Sequence, residues 1–156
     1  MNTIFVVFVF LLLVMSALTN GAEKIISQGN DTIVITQTIL GEARGESYEA
    51  MQAVAAVIKI RAKERGLTYR QVCLQPFQFS CWNENDPNRK KLKSLLQHPR
   101  AGWAWRIASN IDSLDTSMVR GANHYMTERL WKRGTVKWAK GKRPVAKYGC
   151  HVFFKL

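Results

Sequence analysis

Between Ser47 and Ala62 the residues Met51, Val54, Ala55, Ile58 and Ala62 recur at helical spacing. Ser47 stands where an N-cap belongs, and Gly66, after Lys63-Glu64-Arg65, is the expected C′ residue. Ahead of this helix lies the turn Gly41-Glu42-Ala43-Arg44-Gly45-Glu46-Ser47-Tyr48-Glu49, and ahead of the turn an apolar segment, Ile33 to Leu40. The helix therefore has to pack against that segment, with glutamates left at the junction. A carboxyl group at the edge of a packed helix costs free energy unless the position has a use, which makes Glu42 the first candidate for chemistry. Glu46 and Glu49 flank the helix start, where acids interact favourably with free amides and the dipole. For both, a supporting role at a groove is the second reading.

Propensity alone makes a strand of the β-branched run Ile33-Val34-Ile35-Thr36. Continuity with the helix beyond the turn favours a helix, and a helix is the expectation. Leu67 to Val72 suits a further helical turn. From Leu74 to Asn83 aromatic residues alternate with amides around Pro76, which suits a loop lining a groove. Leu92 to Leu96 reads as a short basic helix broken by His98-Pro99. Ala101 to Leu114 reads as a longer one, with Trp103, Ile107, Ile111 and Leu114 on one face. Gly121 to Met126 and Tyr148 to Phe154 read as two strands. The link between them carries Trp131, Trp138 and eight basic residues from Arg129 to Lys147, with no acid among them. This order implies an α+β domain, mainly helical, with a small antiparallel hairpin near the C-terminus.

The first 22 residues contain no charged side chain, and Ile4 to Met15 is unbroken apolar sequence. That run is shorter than the roughly 20 residues that span a bilayer and fits the core of a signal peptide, although no basic residue precedes it. Cleavage near Gly21 or Ala22 and retention as an N-terminal anchor are the two readings. Both place the working domain outside the cytoplasm. The expected organisation is a leader over 1–22, a lead-in over 23–31 and one domain over 32–156, long enough for a core of its own. The 23 basic and 11 acidic residues give a net charge of +12. Such an excess favours a polyanionic partner, and for an exported chain a wall polymer or anionic lipid comes ahead of nucleic acid. Of Cys73, Cys81 and Cys150, an oxidising compartment would join two. Cys73 with Cys81 is the preferred disulfide, closing a loop around Gln75 to Ser80; a bond from Cys150 to either stays open.

Apolar neighbours and the negative end of a helix both disfavour a carboxylate's charge, so Glu42 is expected to carry a proton and donate it to a leaving oxygen. The competing expectation is that Glu42 pairs with Arg44 or with a backbone amide. Glu84, Asp86, Asp112 and Asp115 sit in polar, loop-like contexts, so a second catalytic carboxylate is not evident. The histidines and cysteines show neither H-x-x-x-H nor C-x-x-C, and no metal or other cofactor is expected. No G-x-S-x-G occurs, and Cys150 and His151, as strand neighbours, would face opposite ways. His124, Tyr125 and His151 fall on the two strands, which if paired would form a polar and aromatic wall. The basic link could hold nucleic acid by charge and stacking, but reads more simply as a solvated face suited to an anionic glycan.

The nine residues 41–49, followed by Gln52-Ala53-Val54-Ala55-Ala56-Val57, resemble the signature of the SleB-type cell-wall hydrolases, the spore cortex-lytic enzyme family. Gln78-Phe79-Ser80, Ala122-Asn123-His124-Tyr125, Trp138-Ala139 and Gly149 to Phe153 follow in the family's order, so the resemblance covers about residues 32 to 154. It implies a lysozyme-like α+β fold acting on bacterial peptidoglycan. It further implies cleavage between N-acetylmuramic acid and N-acetylglucosamine by one glutamate, matching Glu42, as in a lytic transglycosylase. Gln78, Tyr125, His151 and Glu46 are the residues expected to bind or orient the sugar. Some members carry the label of amidase, so the bond cleaved is less fixed than the substrate. Leu40 stands where the family commonly has Tyr and is expected to alter the groove floor. No separate wall-binding segment is legible, so the basic link is expected to supply wall affinity. The whole suits a monomeric, exported lytic enzyme, including one of phage origin.

Overall fold

Ile33 to Leu40 is helical in spite of its β-branched start. The computed structural model describes residue 23 and residues 29–156; the leader expected over 1–22 and most of the lead-in lie outside the described residues. The chain divides into two units, Met1–Asp31 and Thr32–Leu156, and the hydrophobic clusters of the described residues belong to the second. Among the described residues no helix is long and apolar enough to cross a membrane.

Helix α1 occupies 32–43 of this second unit. Its buried hydroxyls are satisfied within the helix: Thr36 Oγ1 donates to the Thr32 carbonyl (2.7 Å) and Thr38 Oγ1 to that of Val34 (2.8 Å). The β-branched residues thus lose no hydrogen bonds on burial, and Ile35, Ile39 and Leu40 bury their apolar surface. Leu40 is fully buried in the core.

Helix α2, Tyr48–Arg65, is the centre of the unit. Ser47 caps it by accepting from the Ala50 amide (3.2 Å), and Gly66 ends it in the left-handed conformation at φ 63°. From Ala50 to Ile58 only Gln52 escapes full burial, so α2 is covered on nearly every side. Met51, Val54, Ala55 and Ile58 face one cluster with α1 and the helices α3 (Tyr69–Leu74) and α4 (Ala101–Ser109). Ala53, Ala56 and Val57 face a second cluster with Val119, Ala122 and Phe153. The alanines let neighbours approach from both sides. Thr68 opens α3 with a reciprocal capping box to Gln71. The helix expected to reach Leu114 stops at Ser109 and continues as a 3-10 turn, Ile111–Ser113. The short basic helix resolves into 3-10 turns at Arg89–Lys91 and Ser94–Gln97.

The expected hairpin is a three-stranded antiparallel sheet in the order β1-β3-β2, with β1 His124–Thr127, β2 Ala146–Tyr148 and β3 His151–Phe154. The run from Tyr148 to Phe154 is two strands, because Gly149 takes φ 54° and reverses the chain with Cys150. All four residues of β3 are buried. Val152 and Phe154 form a third cluster with Met126 and Ala139, on which Trp131 and Trp138 pack. Ring centroids of Trp138 and Phe154 are 5.4 Å apart, those of Trp131 and Phe154 6.2 Å. The tryptophans of the basic link thus pack against the sheet. Glu128, at the start of α5 (Glu128–Lys132), pairs with Lys132 (3.0 Å) and Lys147 (2.6 Å), fastening the link at both ends.

The disulfide expected between Cys73 and Cys81 is not formed; both side chains are buried thiols in the helical core. The Cys81 sulfur is turned onto α1, 2.8 Å from where a Cβ on Gly41 would stand. Burial, with Glu42 beside it, pushes the Cys81 thiol well above its ordinary range, which keeps it protonated.

Candidate active site

Glu42 lies in the last turn of α1, partly buried, and three donors meet its carboxylate. The Cys81 amide and the Ser80 hydroxyl donate to Oε1 (3.2 and 3.5 Å), and the Tyr125 hydroxyl donates to Oε2 (3.0 Å). The surroundings are therefore more polar than the apolar setting the sequence suggested. Local features set each distance. A Cβ on Gly41 would come within 2.6 Å of Cys81 Cβ, so only glycine lets the turn Ser80–Trp82 sit this close to α1. The Trp82 indole N–H donates to Thr38 Oγ1 (2.9 Å), and the Gln37 amide donates to the Leu92 carbonyl (3.3 Å), tying the loop to the same helix.

Arg44, the simplest partner for Glu42, is turned elsewhere. Its guanidinium donates to the Gly41 carbonyl at the end of α1 (3.3 Å) and to Asn88 Oδ1 (2.9 Å). The alternative of a backbone amide partner is present in part, through Cys81. Arg100 braces the turn from outside, donating to the carbonyls of Arg44 and Glu46.

Tyr125 joins Glu42 to the rest of the site. Burial, helped by Glu42, raises its phenol well above the ordinary value, so it remains a donor. Its ring meets His151 edge-on at 5.3 Å, a contact across the β1–β3 pair. His151 is buried, and desolvation lowers its pKa against the opposing pull of Glu46 and Glu42. Glu46 also comes close to His151: its Oε2 accepts from the Cys150 amide at 3.2 Å. Ligand-type atoms of Glu46, Cys150 and His151 all lie within 4.8 Å of one another. Cys150 belongs to the turn before β3, not to a strand, so it does not face away from His151; Sγ and Nδ1 are 3.9 Å apart.

Glu42, Tyr125, His151 and Glu46 thus form a continuous set. Gln78 stands apart from it, with Oε1 accepting from Arg65 (2.9 Å) and its carbonyl from Arg61 (3.2 Å). His124 is turned toward Asn123 (2.9 Å), with its ring tilted against Trp138 at 5.1 Å between centroids. Three of the other acids are engaged elsewhere: Asp112 accepts from Tyr69 (2.6 Å), Asp115 from Ser117 (2.7 Å), and Asp86 from the Asn88 amide (2.7 Å).

Sequence reasoning passed over Arg61. Only 4% exposed, it donates to the carbonyls of Asn123 (2.7 Å) and Gln78, and its guanidinium lies 5.1 Å from the centre of the Phe79 ring. It joins the entry of β1 to the loop that supplies Ser80 and Cys81. The fields of Tyr125 and Glu42 offset part of its desolvation. The signal was available: Arg61 interrupts the buried face that Val54, Ile58 and Ala62 establish.

The described domain thus has a central buried helix, a small C-terminal sheet, and a carboxylate held between the end of α1 and that sheet. The cell wall hydrolase family model matches residues 45–154, and the chain belongs to that family. The match begins three residues after Glu42. Among solved structures, the catalytic domain of the Bacillus cereus SleB protein is similar at 26% identity and TM-score 0.54, over 81% of this chain and 91% of that one. The catalytic domain of a germination-specific lytic transglycosylase, SleB of Bacillus anthracis, shares the fold at 24% identity and TM-score 0.58, over 81% and 94%. No curated protein matches the sequence.

Proposed function

We propose that this enzyme of the cell wall hydrolase family cleaves the glycan strand of peptidoglycan as a lytic transglycosylase, with Glu42 as its acid and base. The observation that carries the reading is one carboxylate, at the end of α1, oriented on both oxygens by the Cys81 amide and the Tyr125 hydroxyl. Glu42 gives its proton to the glycosidic oxygen as the bond from the anomeric carbon of N-acetylmuramic acid breaks. The C6 hydroxyl of the same sugar then closes on that carbon and returns its proton to Glu42. The product is a 1,6-anhydro end, and no water is consumed. Such a cycle needs no second carboxylate. Tyr125, His151 and Glu46 orient the sugar; Gln78 does so only if substrate draws it from Arg65.

Glu46, reached through Tyr125 and His151, favours one other outcome: a placed water and hydrolysis. Mass spectrometry of digested sacculi separates the readings, since anhydro ends mark the transglycosylase, reducing ends a muramidase, and freed stem peptides an amidase. The enzyme acts outside the cytoplasm, a reading supported by the uncharged run at residues 4–15 and by the net charge of +12. The basic link from Arg129 to Lys147 adds affinity for the anionic wall, so binding to sacculi weakens with salt.

A further inference from the structure

We infer that Glu46, Cys150 and His151 form a site for a zinc ion, and that its occupation suppresses the activity proposed for Glu42. The three supply a carboxylate, a thiolate and an imidazole, the donors that a small divalent ion of intermediate softness takes in protein sites. Their ligand atoms already lie within 4.8 Å of one another. Zinc bonds of about 2.0–2.3 Å ask for ligand atoms roughly 3.5 Å apart, so side-chain shifts of about an ångström would complete three positions and leave the fourth to water.

The site is built from separate parts of the chain. Glu46 comes from the turn between α1 and α2, the other two from the turn and first residue of β3. Gly149 makes the approach possible, because a side chain there would overlap the Glu46 carboxylate and its φ of 54° suits glycine. The Cys150 amide holds that carboxylate in place (3.2 Å). His151 is buried and fixed by Tyr125, whereas Cys150 is exposed and gives the ion a way in from solvent. Binding exchanges the Cys150 S–H proton for metal and releases it to water.

The suppression rests on the proposed function. An ion here engages Glu46 and His151, two groups of the sugar-orienting wall. It also sets a double positive charge behind Tyr125, whose hydroxyl is 3.0 Å from Glu42. Cys150 itself takes no part in the glycan reaction.

Metal-free protein titrated with Co2+ alone should develop thiolate-to-cobalt charge-transfer absorption that Zn2+ removes. Cys150→Ser should lack the band and bind Zn2+ at least about tenfold more weakly. On purified sacculi, saturating Zn2+ should slow the wild type about tenfold and a chelator should restore it. Cys150→Ser should keep the metal-free rate and resist the same Zn2+. No band in the wild type, or an equal band in Cys150→Ser, overturns the site. A saturated site with unchanged lysis overturns the coupling. The absorption is read without substrate, so a metal-free protein that leaves sacculi intact counts against the proposed function alone, and the band still judges the site.

Discussion

Glu42, at the end of α1, and Glu46, in the turn that follows, lie four residues apart, and each is approached through a glycine that has no room for a side chain. Gly41 admits Cys81 to Glu42; Gly149 admits the β2–β3 turn to Glu46. The supports behind them differ. Glu42 is met by the amide of buried Cys81 and by Tyr125, which Arg61, Phe79 and Phe153 back from within the core. Glu46 is met by the amide of an exposed turn. A carboxyl that must pass a proton to a fixed oxygen gains from the first arrangement. One that positions a sugar, or exchanges it for an ion, can work from the second.

The comparison breaks most simply at Glu42. Glu42→Gln keeps shape and an acceptor for Cys81 but cannot donate the proton, so lysis of purified sacculi should fall by about a hundredfold or more with an unchanged melting temperature. Retained lysis would transfer the chemistry to Glu46. Tyr125→Phe comes next. It preserves the ring contacts to His151 and Phe153 and removes one hydrogen bond to Glu42, for a loss of about ten- to a hundredfold in turnover. Gly41→Ala tests the support without touching a reacting group. A methyl 2.6 Å from Cys81 Cβ must push the Ser80–Trp82 turn away, costing about 1–3 kcal/mol of stability and loosening the Cys81 bond to Glu42. The denaturation midpoint and turnover should therefore drop together. If stability falls while turnover holds, the Cys81 amide is dispensable for catalysis.

Much of this was legible from local chemistry. The Ser47 cap, the Gly66 stop and the apolar spacing between them placed α2, since each rule acts within a few residues. A carboxyl at the edge of a packed helix singled out Glu42, and the two expected strands brought Tyr125 and His151 side by side, while His124 turns to Asn123 instead. What escaped depends on contacts far apart in sequence. Gly149 looks like any strand glycine until the Glu46 carboxylate, about a hundred residues away, occupies the space beside it. That hidden turn is why Cys150 and His151 read as neighbours facing apart. Spacing likewise joined Cys73 to Cys81, whereas packing turns Cys81 onto Gly41. Gln78 sits within the right sequence element, but two arginines of α2 hold it. Arg61 was overlooked because a charge on an apolar helix face reveals its purpose only once its two carbonyl partners are in place.

The smallest effect separates the two glutamates through His151. Burial holds the His151 and His124 pKa values below their ordinary 6.5, so the unfolded chain takes up protons first as pH falls. Their contribution to stability is complete above 6.5 and is lost as pH drops from there through the depressed folded values. Melting temperatures recorded between neutral pH and mild acid should decline accordingly, and less so in His151→Gln. Glu46 opposes the His151 shift more strongly than Glu42 does. Glu46→Gln should therefore lower the His151 pKa further and steepen the acid decline, by about 2 °C or less, with Glu42→Gln changing it less. Lysis by Glu46→Gln should fall only about tenfold, the scale of a single lost substrate hydrogen bond. Equal effects of the two variants on the pH profile would mean that both carboxylates meet His151 on the same terms, and the division between a core-held acid and a turn-held one would fail.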